Sequence, residues 1–462
     1  MTDYTQYTSP FSWRYASPEM RQIWSEDHKR KLWRRIWLNL AEIQSAAGLI
    51  SPAQLLDLAA HVDEVDIPLS LEIESRIHHD LMAELKAYAS QCSIGGGSLH
   101  LGATSMDIED NADAIRLRQS TRLILERLST LLQSFSNRIT EFLDLPCIAF
   151  THLQPAEPTT YGARLALYAQ DLHADYLALS AFFPHIRGKG FKGAVGTSAA
   201  YAELLGSINL TAFEADLSEK LDLPFFSITS QTYPRRQEYI LLTHLASIAL
   251  TLHKFAFDFR LLAAPQLGEV SEPFGPRQVG SSAMPFKRNP ILAEKINSLA
   301  RLLAQAPLIA WQNAANSLLE RTLDDSANRR TLLPESFLNL DELLITANKL
   351  VSGFQVNRVS VERNLATYAP FAATERLLMA LVRAGADRQQ MHEIIRGHSQ
   401  TAWASLQSGS TNPLIQILAQ EESFRPFLSP AEVHSCLNIQ NYLGDVQQRT
   451  RALLEQINAT LV

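Results

Sequence analysis

The chain has 462 residues, which at roughly 100–200 residues per domain allows two to four compact units and excludes a single small module. Its 41 Lys and Arg against 48 Asp and Glu leave a net charge of −7, which gives no case for wholesale nucleic-acid binding. With 46% hydrophobic and 19% charged residues, the composition excludes disorder over most of the length.

Cys92, Cys147 and Cys436 lie far apart without CxxC spacing, which argues against a disulfide framework, a structural zinc site or an iron–sulfur cluster and fits a reducing cytosol. The opening MTDYTQYTSPFSWRY has an early acidic residue, no basic n-region and no apolar h-region, so no signal peptide is expected.

Helical period dominates from Ser17 onward. Ser17 is a candidate N-cap with Pro18 at the first helical position, and Leu32, Ile36, Leu40 and Ile43 carry one helix to Gly48. Its basic run, Lys29, Arg30, Lys31, Arg34 and Arg35, reads as a solvated or subunit-facing surface in preference to a nucleic-acid patch. The Pro- and Gly-free stretch from Asp113 to Leu143 predicts a helix of about eight turns at 3.6 residues per turn.

Further long helices are predicted from Tyr161 to Phe182, Glu238 to Leu262, Leu292 to Leu319 and Leu333 to Val356. Tyr239 to His253 carries no charge beyond the protons of His244 and His253, as expected for a helix surrounded by others. The uncharged Leu302 to Leu319 reaches membrane-span length. Gln305, Pro307, Gln312, Asn313, Asn316 and Ser317 interrupt it too often for lipid, so a buried helix and no membrane partner are expected.

Strand signals are scarce. A mainly α fold is favoured over α/β, with short hairpins left open. Gly-bearing breaks near His100 to Ser105 and Val351 to Val359 divide the chain into an N-terminal helical domain (1–106), a central long-helix bundle (107–356) and a C-terminal helical domain (357–462). Ser429 to Glu432 has the form of a capping box opening the last helix.

Five loop-like islands break the pattern. In Gly95 to Ser105 (GGGSLHLGATS), Thr104 and Ser105 suit a carboxylate or phosphate, and a plain structural turn fits equally; the P-loop and dinucleotide fingerprints are both missing. His152, within FTHLQPAEPTTYG, reads by itself more readily as a hydrogen-bonded structural histidine. TSQTYPRRQ, Thr229 to Gln237, reads alone as a polar turn.

GSSAMPFKRNP, Gly280 to Pro290, is the most specific island, with a composition suited to a mobile loop that closes over an anion. Ser281 as an oxyanion is a competent base toward a carbon-bound proton if Lys287 and backbone N–H groups lower its pKa; an exposed flexible loop is the alternative. In ERTLDDSANRR, Arg321, Ser326, Arg329 and Arg330 offer forked donors for phosphate or carboxylate, while Asp324 and Asp325 make a solvated salt-bridge network the equal alternative.

Together, in this order and spacing, SWRYASPEM, HHD (His78 to Asp80), HLGATS, FTHLQPA, TSQTY, GSSAMPFKRNP and ERTLDDSANRR resemble the fumarase/aspartase superfamily along the whole chain. Within it, the chain closely resembles the branch acting on succinylated purine nucleotides. It implies a three-domain, mainly α fold whose central long-helix bundle forms a twenty-helix core in a homotetramer, with each active site shared between three subunits. It also implies elimination of fumarate without metal or cofactor.

The resemblance gives Ser281 the role of base at Cβ, His152 that of general acid at the departing nitrogen, and Glu294 that of orienting His152. Lys287 and Asn289 would hold the succinyl carboxylates and the developing negative charge, joined by Thr104, Ser105 and Gln231. Arg14, Tyr15, Arg321, Ser326 and Arg330 would grip the phosphate and ribose, with His79 and Asp80 close to the substrate. His78 and Lys295 stand where a number of relatives carry Arg, so phosphate contacts there would be weaker or rerouted. A sister lyase acting on argininosuccinate is the second expectation. A purely structural use of the fold, as in lens proteins, is the third.

Overall fold

The computed structural model describes residues 5–206, 209–438 and 442–461. Helices carry the chain, and the described strands of more than one residue form two two-stranded antiparallel sheets, Pro146–Thr151 with Gln154–Thr160 and Val270–Ser271 with Gln355–Val356. The mainly α expectation holds.

The local sequence explains where helices start and stop. Ser17 Oγ accepts from Met20 N at 3.2 Å with Pro18 in the first turn, as read, but that helix ends at Ile23. Ser25 Oγ accepts from His28 N at 3.1 Å and caps a second helix, Glu26–Ala46, so a side-chain acceptor splits the expected single helix in two. Tyr161–Phe182 is a helix over the expected span, while the Asp113 to Leu143 pattern is part of a longer one, Ser105–Glu141. The expected Leu292–Leu319 helix is two, Ile291–Leu303 and Ala306–Ala315. Pro307 lies in the first turn of the second, the one part of a helix where its missing N–H costs nothing. Ser429 and Glu432 do form a capping box, on Pro430–Cys436; the last helix is Val446–Leu461.

Contacts divide the chain into two compact units, Met1–Leu128 with Asp175–Leu250 and Ser298–Ile345, and Ser129–Ala174 with Thr251–Asn297 and Thr346–Val462. In the first, Trp33, Trp37, Leu40, Leu81, Tyr88 and Phe191 belong to one buried cluster. Arg30 and Arg34 are buried beside them, overturning the surface reading of those two residues. Both grip the fully buried Glu84, Arg30 Nη1 at 3.0 Å and Arg34 Nε at 2.6 Å, since a buried guanidinium needs a counter-charge. Lys29, Lys31 and Arg35 pair with Glu26, Asp27 and Asp63 nearer the surface. In the second unit, Leu377, Leu381, Met391, Ile395, Leu414 and Phe424 pack the C-terminal helices together.

Two helices expected to be enclosed are not. Leu302, Leu308, Ile309 and Trp311 are exposed. On Arg236–Leu262, which is long and apolar enough to cross a membrane by length and composition alone, Leu250 and Phe257 are 69% and 59% exposed. The exposed positions Arg236, Thr243, Leu250 and Phe257 recur every seven residues, the row a helix offers to a packing partner.

Candidate active site

His152 sits at the tip of the Pro146–Thr151/Gln154–Thr160 hairpin. Thr151 pairs with Gln154, leaving His152 and Leu153 as a two-residue turn with φ +53° and +60°. A type I′ turn needs positive φ at both positions, and with neither residue a glycine the conformation costs about 1 kcal/mol or more per residue. Its exposed imidazole lines a cavity of about 670 Å³ together with Phe150, Leu167, Tyr168, Lys254 and Asp258, and no described residue hydrogen-bonds the ring.

The Ser281 segment is tied at its base. Glu272 accepts from Leu292 N at 3.0 Å and Ala293 N at 2.8 Å, anchoring the segment's start to the first turn of Ile291–Leu303. Burial keeps its carboxyl above the usual value despite those bonds. A Cβ on Gly280 would lie 2.1 Å from the Lys287 carbonyl oxygen, and Asn289 Nδ2 donates to Gly280 O at 3.2 Å, so only glycine lets the loop fold back on itself here. Ser281 Oγ accepts from Ala283 N at 3.4 Å and Met284 N at 3.1 Å. Donors so placed favour a negative oxygen. Lys287 and Phe286 are exposed. Glu294 lies in the first turn of Ile291–Leu303 with Lys295 beside it; its carboxylate is 3.9 Å from Arg260, and no hydrogen bond joins it to His152 within the described chain.

In the first unit, Thr104 and Ser105 stand at the start of Ser105–Glu141, where the helix dipole favours an anion and Thr104 N already donates to Asp107 at 3.0 Å. The acidic residue of that first turn, Asp107, is already neutralised by Lys189 and by the N–H groups of Lys192 and Gly193. Gly102, at φ +76°, sits against the Tyr201 ring, where a Cβ would come within 2.9 Å. His79 caps Asp80–Gln91 by accepting from Met82 N at 3.4 Å. Its other nitrogen then carries the proton and donates to Ser105 Oγ at 3.3 Å. His78, at φ +57°, ends the preceding helix and is exposed. Asp80 accepts from Arg330 Nη2 and from Leu81 N, both at 2.8 Å; burial opposes its ionisation, but Arg330 and the N–H hold its carboxyl below the usual range.

The fifth island is not a loop throughout, because Asp324–Gly353 is helical and takes in its second half. Arg329 is committed to structure, bonded to Glu238 at 2.6 Å, Asp113 at 3.0 Å and the Tyr233 hydroxyl at 3.1 Å. Arg235 bridges Asp110 and Asp325, and Arg321 reaches Asp325 at 2.9 Å. Of the two alternatives the salt-bridge network is present, but it is largely buried and not solvated, and it leaves Arg330, 58% exposed, facing solvent.

Asp80, Ser326 and Arg330 are brought together in the wall of a cavity of about 140 Å³, with Lys29, Trp33, Glu109, Asp113 and Arg116. Arg14, beside the Trp13 and Tyr15 rings at 5.8 and 6.0 Å, does not line it, nor do Tyr15, Gln231 and Arg321. Gln231 N donates to Glu320 O at 3.2 Å. Sequence reading missed Glu109 and Arg116. The signal was the four-residue spacing of Ser105, Glu109 and Asp113, which puts them on one helical face. Among the described residues no group of three or more His, Cys, Asp or Glu is placed to hold a metal.

Residues 61–303 match the family described as Lyase, and residues 370–453 match the adenylosuccinate lyase C-terminus. Among solved structures of similar fold are a fumarate lyase from Mesorhizobium sp. BNC1 (TM-score 0.83, 22% identity, 97% of this chain and 99% of that one) and a 3-carboxy-cis,cis-muconate lactonizing enzyme from Pseudomonas putida (TM-score 0.87, 23%, 98% and 100%). The family match, over more than half of the chain, thus defines a lyase. Adenylosuccinate lyases are similar over almost the full length: that of Saccharomyces cerevisiae is 37% identical, covering 99% of this chain and 95% of the relative, and that of Archaeoglobus fulgidus is 33% identical, covering 98% and 99%. The chain belongs to the adenylosuccinate lyase family.

Proposed function

We propose that the chain eliminates fumarate, without metal or cofactor, from succinyl-AMP to give AMP and from the succinylated aminoimidazole-carboxamide ribotide (SAICAR) to give its amide (AICAR), two steps of purine nucleotide synthesis. The observation that carries this reading is 37% identity to an adenylosuccinate lyase over 99% of the chain.

Removing a proton beside a carboxylate creates a dianion, so the site needs a strong base and concentrated positive charge. Ser281 is the base, helped by the two N–H groups its oxygen accepts from, with Lys287 and Asn289 on the same loop receiving the succinyl carboxylates. Thr104 and Ser105, at a helix N-terminus, and Gln231 complete that part of the site. His152 returns a proton to the departing nitrogen. That no described residue hydrogen-bonds its ring supports a partner, Glu294, arriving from another subunit. Arg14, Tyr15, Arg321, Ser326 and Arg330 hold the nucleotide, with His78, His79, Asp80 and Lys295 beside it.

The assembly is a homotetramer with a twenty-helix core and shared sites. The seven-residue exposed row of Arg236–Leu262 and the exposed apolar side of residues 302–311 support it. The three free cysteines suit the cytoplasm.

The test is a spectroscopic assay of purified protein on succinyl-AMP, SAICAR and argininosuccinate, with and without EDTA. Turnover of both purine substrates, unaffected by chelator, is expected. Turnover of argininosuccinate alone, or of nothing, overturns the reading.

A further inference from the structure

Four carboxylates line the cavity that holds Asp80, Ser326 and Arg330, and they are not equivalent. Glu26 is paired with Lys29, Asp80 with Arg330, and Asp113 with Arg116 and Arg329. Glu109, half-buried on the same face as Ser105, has no hydrogen bond and no ion pair among the described residues, although its side chain forms part of the wall. Arg330 is the cation whose charge acts on it, and Arg330 is engaged by Asp80.

We propose that Glu109 is a substrate-contacting residue of this cavity, facing the phosphate–ribose end of the nucleotide beside Ser326 and Arg330. The inference deepens the function proposed above and rests on it. A carboxyl in this wall that no described group of the chain engages is open to solvent and to whatever occupies the cavity, beside Ser326 and Arg330. The chemistry it offers follows from its neighbours. Asp80 faces it from Asp80–Gln91 and Asp110 and Asp113 from its own helix. Arg330 and Arg329 stand on Asp324–Gly353, Lys29 and Glu26 on Glu26–Ala46, and Arg116 two turns along. Burial above all, then the charges of Asp80, Asp113 and Asp110, push its carboxyl up to about 8 against the pull of Arg330. At neutral pH the group is therefore an O–H donor, suited to an anionic oxygen; once ionised it repels the same oxygen.

The experiment compares wild type, Glu109→Gln and Glu109→Ala on succinyl-AMP from pH 6.5 to 9.5, with thermal melts of each. With an apparent pKa near 8 the protonated fraction falls about tenfold between pH 7 and pH 9, so the wild-type KM should rise by about that factor while kcat changes less than about twofold. Glu109→Gln, which keeps a donor at every pH, should hold a near-wild-type pH 7 value throughout, and Glu109→Ala should show a high, pH-independent KM. A wild-type rise that persists in Glu109→Gln, or no rise at all, overturns the assignment. Should the variants melt early, equilibrium binding of AMP and adenosine to wild type decides: affinity for AMP should fall between pH 7 and pH 9 and that for adenosine should not, and equal behaviour of the two refutes it. A wild-type protein that cleaves no succinyl-AMP instead refutes the proposed function.

Discussion

Arg330 Nη2 donates to Asp80 Oδ2 across 2.8 Å, joining two chain segments 250 residues apart. The aspartate is mostly shielded and the arginine 58% exposed, so the pair fixes the guanidinium at its carboxylate side and leaves its outer N–H groups for a ligand. Losing one charged hydrogen-bond donor to a ligand costs about 1.5–3 kcal/mol, which is about tenfold to a little over a hundredfold in affinity. Arg330→Ala should raise KM for succinyl-AMP within that range and lower kcat much less. Steady-state kinetics give the answer, and a selective fall in kcat would move Arg330 away from nucleotide binding.

Ser281→Ala and His152→Ala should each be almost inactive, yet regain partial activity when mixed, because hybrid tetramers rebuild some intact shared sites. Subunit exchange is verified by native mass spectrometry of the mixture. Exchange without recovery would mean that one subunit supplies both groups.

Gly280→Ala introduces a methyl group 2.1 Å from the Lys287 carbonyl oxygen, closer than any real contact, so the loop must open. The loop residues around it are largely exposed, and little buried area depends on them. The expected result is a fall in kcat of at least about tenfold with a melting temperature within a few degrees of wild type, since an error of about 1 Å in positioning can cost a hundredfold in rate. Full activity in this variant would show that the closed loop geometry is irrelevant to turnover.

Glu421 receives hydrogen bonds from Ser423 N, Ser423 Oγ and His398, which hold its carboxyl down at about 2. A depressed folded-state value stabilises the protein above the unfolded pKa near 4.5, and the stabilisation is lost as pH falls from about 4.5 toward 2. Melting of wild type against Glu421→Gln should show wild type ahead at pH 6 and the gap reduced to about half or less by about pH 3, vanishing only below about pH 2. A gap that is constant with pH would assign the effect to packing.

Much of this architecture was legible because helical periodicity is local. Tyr161–Phe182 could be read from the spacing of its apolar residues. The failures have specific causes. Ser25 looks like any polar residue in a helix until its hydroxyl is seen capping His28. Arg30 and Arg34 read as surface because nothing in the sequence shows that Glu84 packs between them. Periodicity likewise cannot distinguish a helix enclosed by its own chain from one whose apolar side awaits another, which is why Leu250 and Trp311 were expected inside.

The site divides along the same line. GSSAMPFKRNP announces a loop by composition, and Gly280 behaves as such a glycine must. That Arg329 is buried in an ion-pair network while Arg330 faces outward follows from which side of one helix meets Glu238 and Asp113, a tertiary fact. Glu109 carries no motif and stands out only when its neighbours are counted.

The two-residue turn at His152 also bears on how chain length can drift among relatives. A residue gained or lost at that tip would slip the Thr151–Gln154 pairing and swing the imidazole to the opposite face of the ribbon. Insertions and deletions should therefore be purged at this hairpin and tolerated in exposed connections, such as the one around Gly409, that carry no reacting group.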